Sequence, residues 1–118
     1  MKCSAPSPNP LDIEALREEY AFTADLDELA IGLAVWSHPT RMRLFALLDQ
    51  VEQMCVCDLA AVLGISVSAV SQNLAKARAQ RLVQFRRDAQ TLFYALTKHP
   101  VNAVLRQAVR DARERLDE

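Results

Sequence analysis

Residues 58–80 read DLAAVLGISVSAVSQNLAKARAQ, and this stretch decides the fold. Leu59 and Leu63 stand four residues apart on one face of a helix with room for two turns, and Gly64 follows where a helix C-cap wants a residue free to adopt positive φ. Ser66 then offers an N-cap for a longer helix to about Gln80. Two helices joined by Gly-Ile-Ser carry the helix-turn-helix signature. With Val70 at the centre of the inward face and about 100° per residue, Leu74, Ala77 and Arg81 point inward, whereas Ser68, Gln72, Ala75 and Ala79 point outward. The outward stripe is small and polar. It can approach a DNA major groove closely, and Gln72 can offer both a donor and an acceptor to an adenine edge.

On the C-terminal side, residues 82–87 and 91–96 are rich in Val, Phe, Tyr, Leu and Thr and flank Asp88-Ala89-Gln90, which predicts a β-hairpin. The turn has no glycine, so a loop longer or less regular than an Asn-Gly hairpin is expected. After His99-Pro100, an apolar stripe of Val101, Val104, Leu105, Ala108, Val109, Ala112 and Leu116 predicts a closing helix. On the N-terminal side, Leu26, Leu29, Ala30, Leu33 and Trp36 fit a helix from Asp25 that His38-Pro39 ends. Ser37 or His38 with Pro39 starts the next, in which Met42, Phe45, Ala46 and Leu48 are apolar while Arg41 and Arg43 face elsewhere. Further out, Asn9-Pro10 resembles an N-cap with proline at the first position of a short acidic helix bearing Ile13, Leu16 and Tyr20. Three of the five prolines lie in residues 1–10, which read as a flexible arm carrying Cys3, ahead of one domain over residues 11–118. The closing stripe is broad for so small a domain. With the helix over residues 26–36 it fits a dimer interface, and it fits packing within one chain equally well.

The whole chain has 118 residues, 51% hydrophobic and 25% charged, the composition of an ordinary soluble protein. Its formal charge of −1 argues, taken alone, against a polyanionic partner. Divided along the chain, however, residues 1–58 hold ten acids and four bases, and residues 59–118 hold ten bases and five acids. Lys76, Arg78, Arg81, Arg86, Arg87, Lys98, Arg106 and Arg110 face only Asp88 in the stretch they span. These bases coincide with the second helix of the pair and the hairpin, the elements that would meet phosphates. No apolar run reaches the roughly 18 residues needed to span a bilayer, and residues 1–10 have no hydrophobic stretch to act as a signal, so a cytoplasmic protein without a membrane partner is expected. Two glycines in all exclude a glycine-rich phosphate loop. Without paired carboxylates or a nucleophile beside a base, no enzyme and no organic cofactor is expected. Three cysteines, an odd number, suit thiols or metal ligands better than a disulfide framework.

Four segments together resemble one known family. They are residues 36–44 (WSHPTRMRL), 54–60 (MCVCDLA), 63–74 (LGISVSAVSQNL) and 93–96 (FYAL), in the family's order and spacing. The family is ArsR/SmtB, the bacterial metal-responsive repressors, and the resemblance extends over roughly residues 25–116. It implies a mainly α, winged helix-turn-helix homodimer, joined through its first and last core helices, that sits on palindromic double-stranded operator DNA and leaves when an inducer binds. It places DNA contacts at Ser66, Ser68, Ala69, Ser71, Gln72, Asn73 and Lys76 of the recognition helix and its cap, and at Arg86, Arg87 and Gln90 of the wing. The family often has histidine where this chain has Gln72 or Asn73, and glycine in the wing, so operator sequence does not carry over.

Cys55 and Cys57 resemble the Cys-Val-Cys pair of arsenite-, cadmium- and lead-sensing members. Thiols at i and i+2 diverge on a regular helix but can converge at a fraying N-terminus, where the positive end of the dipole favours the thiolate that binds metal. Members that complete the site on one helix have a further cysteine where this chain has Ala60; others bring one from an N-terminal arm, where Cys3 lies. The implied inducer is As(III), Sb(III), Pb(II) or Cd(II) on Cys3, Cys55 and Cys57, trigonal thiolate coordination suiting the first three and a fourth ligand favouring cadmium. The family's zinc site on the closing helix corresponds to Lys98, Pro100, Asp111 and Glu114, of which only Glu114 keeps the family ligand, so zinc sensing there is expected to be lost or weak. Two alternatives stay open: a repressor whose Cys55 and Cys57 respond to oxidation or persulfidation, and a winged-helix protein-interaction module without DNA contact.

Overall fold

Each helix boundary of the computed structural model, which describes residues 11–20 and 24–116, has a local cause. Helix α1 (Ile13–Glu19) starts after Asp12, whose side chain accepts from the Ala15 amide at 3.1 Å. The expected start at Asn9-Pro10 is thereby corrected; those two residues lie outside the described part, as does Cys3. Helix α2 (Ala24–Trp36) ends before His38, whose Nδ1 accepts from the Thr40 amide at 3.2 Å and caps α3 (Pro39–Val51), with proline in the first turn where no amide is missed. A two-residue strand, β1 (Met54–Cys55), leads into α4 (Val56–Leu63). Gly64 takes the left-handed conformation at φ 68 and ends α4, and the Ser66 hydroxyl accepts from the Ala69 amide at 3.0 Å to open α5 (Val67–Ala79). Strands β2 (Val83–Asp88) and β3 (Thr91–Leu96) and helix α6 (Pro100–Leu116) follow. The axes of α4 and α5 meet at a bend of 112°, the helix-turn-helix angle. No described helix is long and apolar enough to cross a membrane.

The sheet has the order β1-β3-β2, all antiparallel. Asp88 pairs with Thr91, so the hairpin loop is Ala89-Gln90 alone. The expectation of a longer or less regular loop fails because Ala89 itself adopts φ 54, the positive value that mirror-image hairpin turns need at their first loop position. Strand β1 has no counterpart in the sequence reading. Two residues carry no periodicity, and their pairing with Tyr94 and Phe93 is made by the tertiary fold.

The core joins Trp36, Leu44, Phe45, Leu48, Leu59, Val70, Leu74, Ala77, Leu82 and Val101. Trp36 and Phe45 meet edge to face with centroids 5.2 Å apart, a favoured aromatic arrangement. The inward positions Val70, Leu74 and Ala77 are buried, but Arg81 is exposed. The 3.6-residue repeat does not extend to Arg81, because α5 stops at Ala79 and Arg81 turns to φ 59. In α2 the covered positions are Gly32 and Trp36, with Leu29 and Val35 half-covered, while Leu26, Ala30 and Leu33 of the expected stripe are exposed. Gly32 is there because α6 runs so close: a β-carbon at that position would sit 2.9 Å from Val101 Cγ2.

Asn102 is the one buried polar side chain in the described core. Its Oδ1 accepts from Trp36 Nε1 at 3.0 Å, and its Nδ2 donates to the Leu82 carbonyl at 2.8 Å and the Thr97 carbonyl at 3.1 Å. One amide thus ties α2, α6 and both ends of the hairpin, and its full satisfaction removes the penalty of burying it.

Candidate nucleic-acid interface and thiol site

The outer face of α5 carries Ser68, Ser71, Gln72, Ala75, Lys76 and Ala79, all exposed. Its small side chains leave room for Gln72 and Lys76 to reach beyond the backbone. Ser66 is exposed but its hydroxyl caps the helix, and Ala69 is half-buried. Asn73 turns inward. Its Nδ2 donates to the Ala69 carbonyl at 2.8 Å, and its Oδ1 accepts from Arg41 Nη1 at 3.0 Å. Arg41 also donates from Nε to the Val35 carbonyl, bracing α5 against the end of α2. Asn73 is therefore engaged within the chain, unlike Gln72. The sequence reading missed Arg41 as a strut, since in Arg-Met-Arg nothing local distinguishes it from Arg43.

In the wing, Arg86, Arg87 and Gln90 are exposed. Arg86 Nε donates to Gln53 Oε1 at 2.9 Å, its guanidinium lies 4.7 Å from the Phe93 ring centroid, and its Nη1 is 3.9 Å from Asp88. The Arg78 guanidinium lies 4.1 Å from the Phe85 centroid, clasping the wing to α5. That contact ties the basic wing to the helix carrying Lys76 and Arg78. The role of Gln53, a polar residue between two helices, had no signal in the sequence.

Cys55 is the N-cap of α4 and belongs to β1; it is half-buried and makes no side-chain capping hydrogen bond. Cys57 lies in the first turn and is exposed, and both thiols are free. The described residues thus provide two soft donors at one helix start, which fits a thiophilic ion needing at least one more donor. No group of three or more His, Cys, Asp or Glu side chains among the described residues could hold a metal. Lys98, Asp111 and Glu114 are exposed, and Asp111 accepts from Gln107 Nε2 at 2.9 Å. His99 Nδ1 accepts from the Val101 amide at 3.1 Å, at the start of α6.

A third surface is apolar. Leu26, Ile31 and Leu33 of α2 and Val104 and Leu116 of α6 are exposed, and a groove between α3 and α6 is lined by Met42, Ala46, Leu105, Ala108, Val109 and Ala112.

Comparison with known proteins bears on these surfaces together. The pattern of the family described as bacterial regulatory protein, arsR family, matches residues 38–84. A transcriptional repressor SmtB homolog of a Synechocystis strain is 31% identical over 105 residues, which span 89% of this chain and 79% of that protein. The crystal structure of the AntR antimony-specific transcriptional repressor is similar with a TM-score of 0.72 and 24% identity, covering 100% of both chains. The solution structure of the homodimeric winged helix-turn-helix DNA-binding domain of Mb0332 from Mycobacterium bovis is similar with a TM-score of 0.70 and 22% identity, over 94% of each chain. The last two likenesses establish the winged-helix fold.

Proposed function

The chain belongs to the ArsR/SmtB family of DNA-binding transcriptional regulators, which are not enzymes, and from that premise we propose a homodimeric repressor that releases operator DNA when a thiophilic ion binds its cysteine thiolates. As(III), Sb(III), Pb(II) or Cd(II) is the inducer, and Cys55 and Cys57 hold it with Cys3 as third ligand, in a protein of the cytoplasm. The observation that carries this reading is the pair of free thiols at the start of α4, one short helix and one turn away from the polar face of α5. A ligand drawing Cys55 and Cys57 together reshapes the first turn of α4, and α4 packs directly on α5.

On DNA, Ser68, Ser71 and Gln72 face base edges, Lys76, Arg86 and Arg87 meet phosphates, and Gln90 stands at the wing tip. Ser66, Ala69 and Asn73 shape the helix that presents them. Two recognition helices must match half-sites about one DNA turn apart, which requires a dimer, and the exposed apolar faces of α2 and α6 suit that contact. A coupling of about 1–3 kcal/mol between ion and DNA changes operator occupancy five- to 150-fold.

The experiment is operator release in a mobility-shift assay with DNA from upstream of the protein's own gene, across As(III), Sb(III), Pb(II), Cd(II) and Zn(II), repeated with Cys3→Ser. Release by one of the first four, weakened in Cys3→Ser, is expected. Release by zinc alone, with Cys3→Ser unchanged, would refute the assignment. The exposure of Cys57 favours a second reading, oxidation or persulfidation of the pair, although a Cys-x-Cys disulfide is strained. Adding hydrogen peroxide or a persulfide donor to the same assay separates the two.

A further inference from the structure

The thiol site and the wing share one sheet. Cys55 pairs with Phe93 and Phe93 pairs with Arg86, so the three residues form a row across β1, β3 and β2. Directly opposed residues of neighbouring strands project to the same face. On that face the Arg86 guanidinium lies 4.7 Å from the Phe93 centroid and Nε donates to Gln53 Oε1 at 2.9 Å, two residues before Cys55. Its ion pair with Asp88, at 3.9 Å between exposed groups, adds little. The aim of Arg86 therefore depends on what β1 and its approach do.

That approach is strained. The Gln53 amide donates to the Val51 carbonyl at 2.9 Å across Glu52, which has φ 72 and ψ −49. This is the positive-φ γ-turn, a rare and unfavourable conformation that persists only where its surroundings impose it. Strand β1, with two pairs to β3, is the shortest element holding it in place.

Resting on the thiol-gated reading above, we infer that Gln53 is a positioning residue that aims the wing arginine Arg86 at the operator, and that a ligand reordering Cys55 loosens this hold within the same protomer. The path is Cys55 to β1, β1 to Gln53, and Gln53 to Arg86. It requires no rearrangement between subunits. Loosening β1 lets Glu52 relax and carries Gln53 away from the guanidinium, which keeps its charge but loses its direction.

A double-mutant cycle on the full-length protein tests this. Operator affinity is measured for wild type, Gln53→Ala, Arg86→Ala and the double variant, without added ion and with each of sodium arsenite, antimony(III), lead(II) and cadmium(II). Gln53→Ala should weaken ion-free binding about threefold, adding nothing in the Arg86→Ala background, and the ion-induced loss should be about threefold smaller in all three variants than in wild type. Additive losses, or an ion-induced loss in Arg86→Ala equal to that of wild type, overturn the inference. A wild type that no ion releases overturns the thiolate reading and the relay with it, whereas the ion-free cycle still decides whether Gln53 positions Arg86.

Discussion

Helix α5 buries Val70, Leu74 and Ala77 almost completely and turns Ser68, Gln72 and Ala75 to solvent, whereas α6 buries Val101 and Leu105 but leaves Val104 62% and Leu116 84% exposed. Both helices are amphipathic. The first is finished inside one chain, because α3, α4 and β2 cover its apolar side, and the second is not. A helix whose apolar side is satisfied and whose outer side is small and polar is ready for a polar ligand. A helix with apolar surface left over is ready for another apolar surface, and a second copy of the chain supplies one at no cost in sequence.

Four substitutions probe that contrast, in descending order of expected effect. Leu74→Ala empties a closed site and should destabilise the protein by about 3 kcal/mol in urea unfolding; a loss below about 1 kcal/mol would mean that α5 is less completely packed than it looks. Asn102→Ala leaves the Trp36 indole N–H without a partner inside the core and strips the Leu82 carbonyl of one of its two donors, and should cost about 2 kcal/mol in the same measurement. Val104→Glu puts a charge on the open stripe of α6. It should leave the monomer's fold intact while weakening self-association about tenfold by sedimentation, and an unchanged association would place the dimer contact elsewhere. Gln72→Ala, on the finished helix, should lower operator affinity by about 1 kcal/mol and leave the unfolding curve unmoved, since the side chain is exposed in the free protein.

Much of the fold could be read because its signals are local. Gly64 at positive φ, Ser66 with its hydroxyl on an amide three residues ahead, and Pro39 in a first turn all act within a few residues. The inward face of α5 followed from the 3.6-residue repeat for as long as the helix lasted. That reasoning failed at Arg81, where the backbone left the helix, and the reading of the turn from its lack of glycine failed at the wing tip, where Ala89 accepted a conformation usually assigned to glycine.

The candidate site was legible as a set of residue types and less so as an arrangement. Gln72 and Asn73 are neighbours of the same chemical class; the helical repeat points Gln72 outward, but that Asn73 braces the interior is decided by the approach of Arg41 from another helix. Cys55 and Cys57 were plain in the sequence. That Cys55 lies in a strand, in line with Phe93 and Arg86, was not, because residues separated by some thirty or forty positions meet there only through folding.

The sequence by itself determined the helix-turn-helix pair, the hairpin, the closing helix, the concentration of positive charge in the second half and the presence of two soft donors at one helix start. Each of these depends on backbone preference or side-chain type over a short span. The tertiary structure decided which polar groups are engaged, which apolar faces remain open and how Cys55 lines up with the wing. Those outcomes depend on packing and long-range hydrogen bonds, whose partners are distant in the chain and close only in the folded molecule.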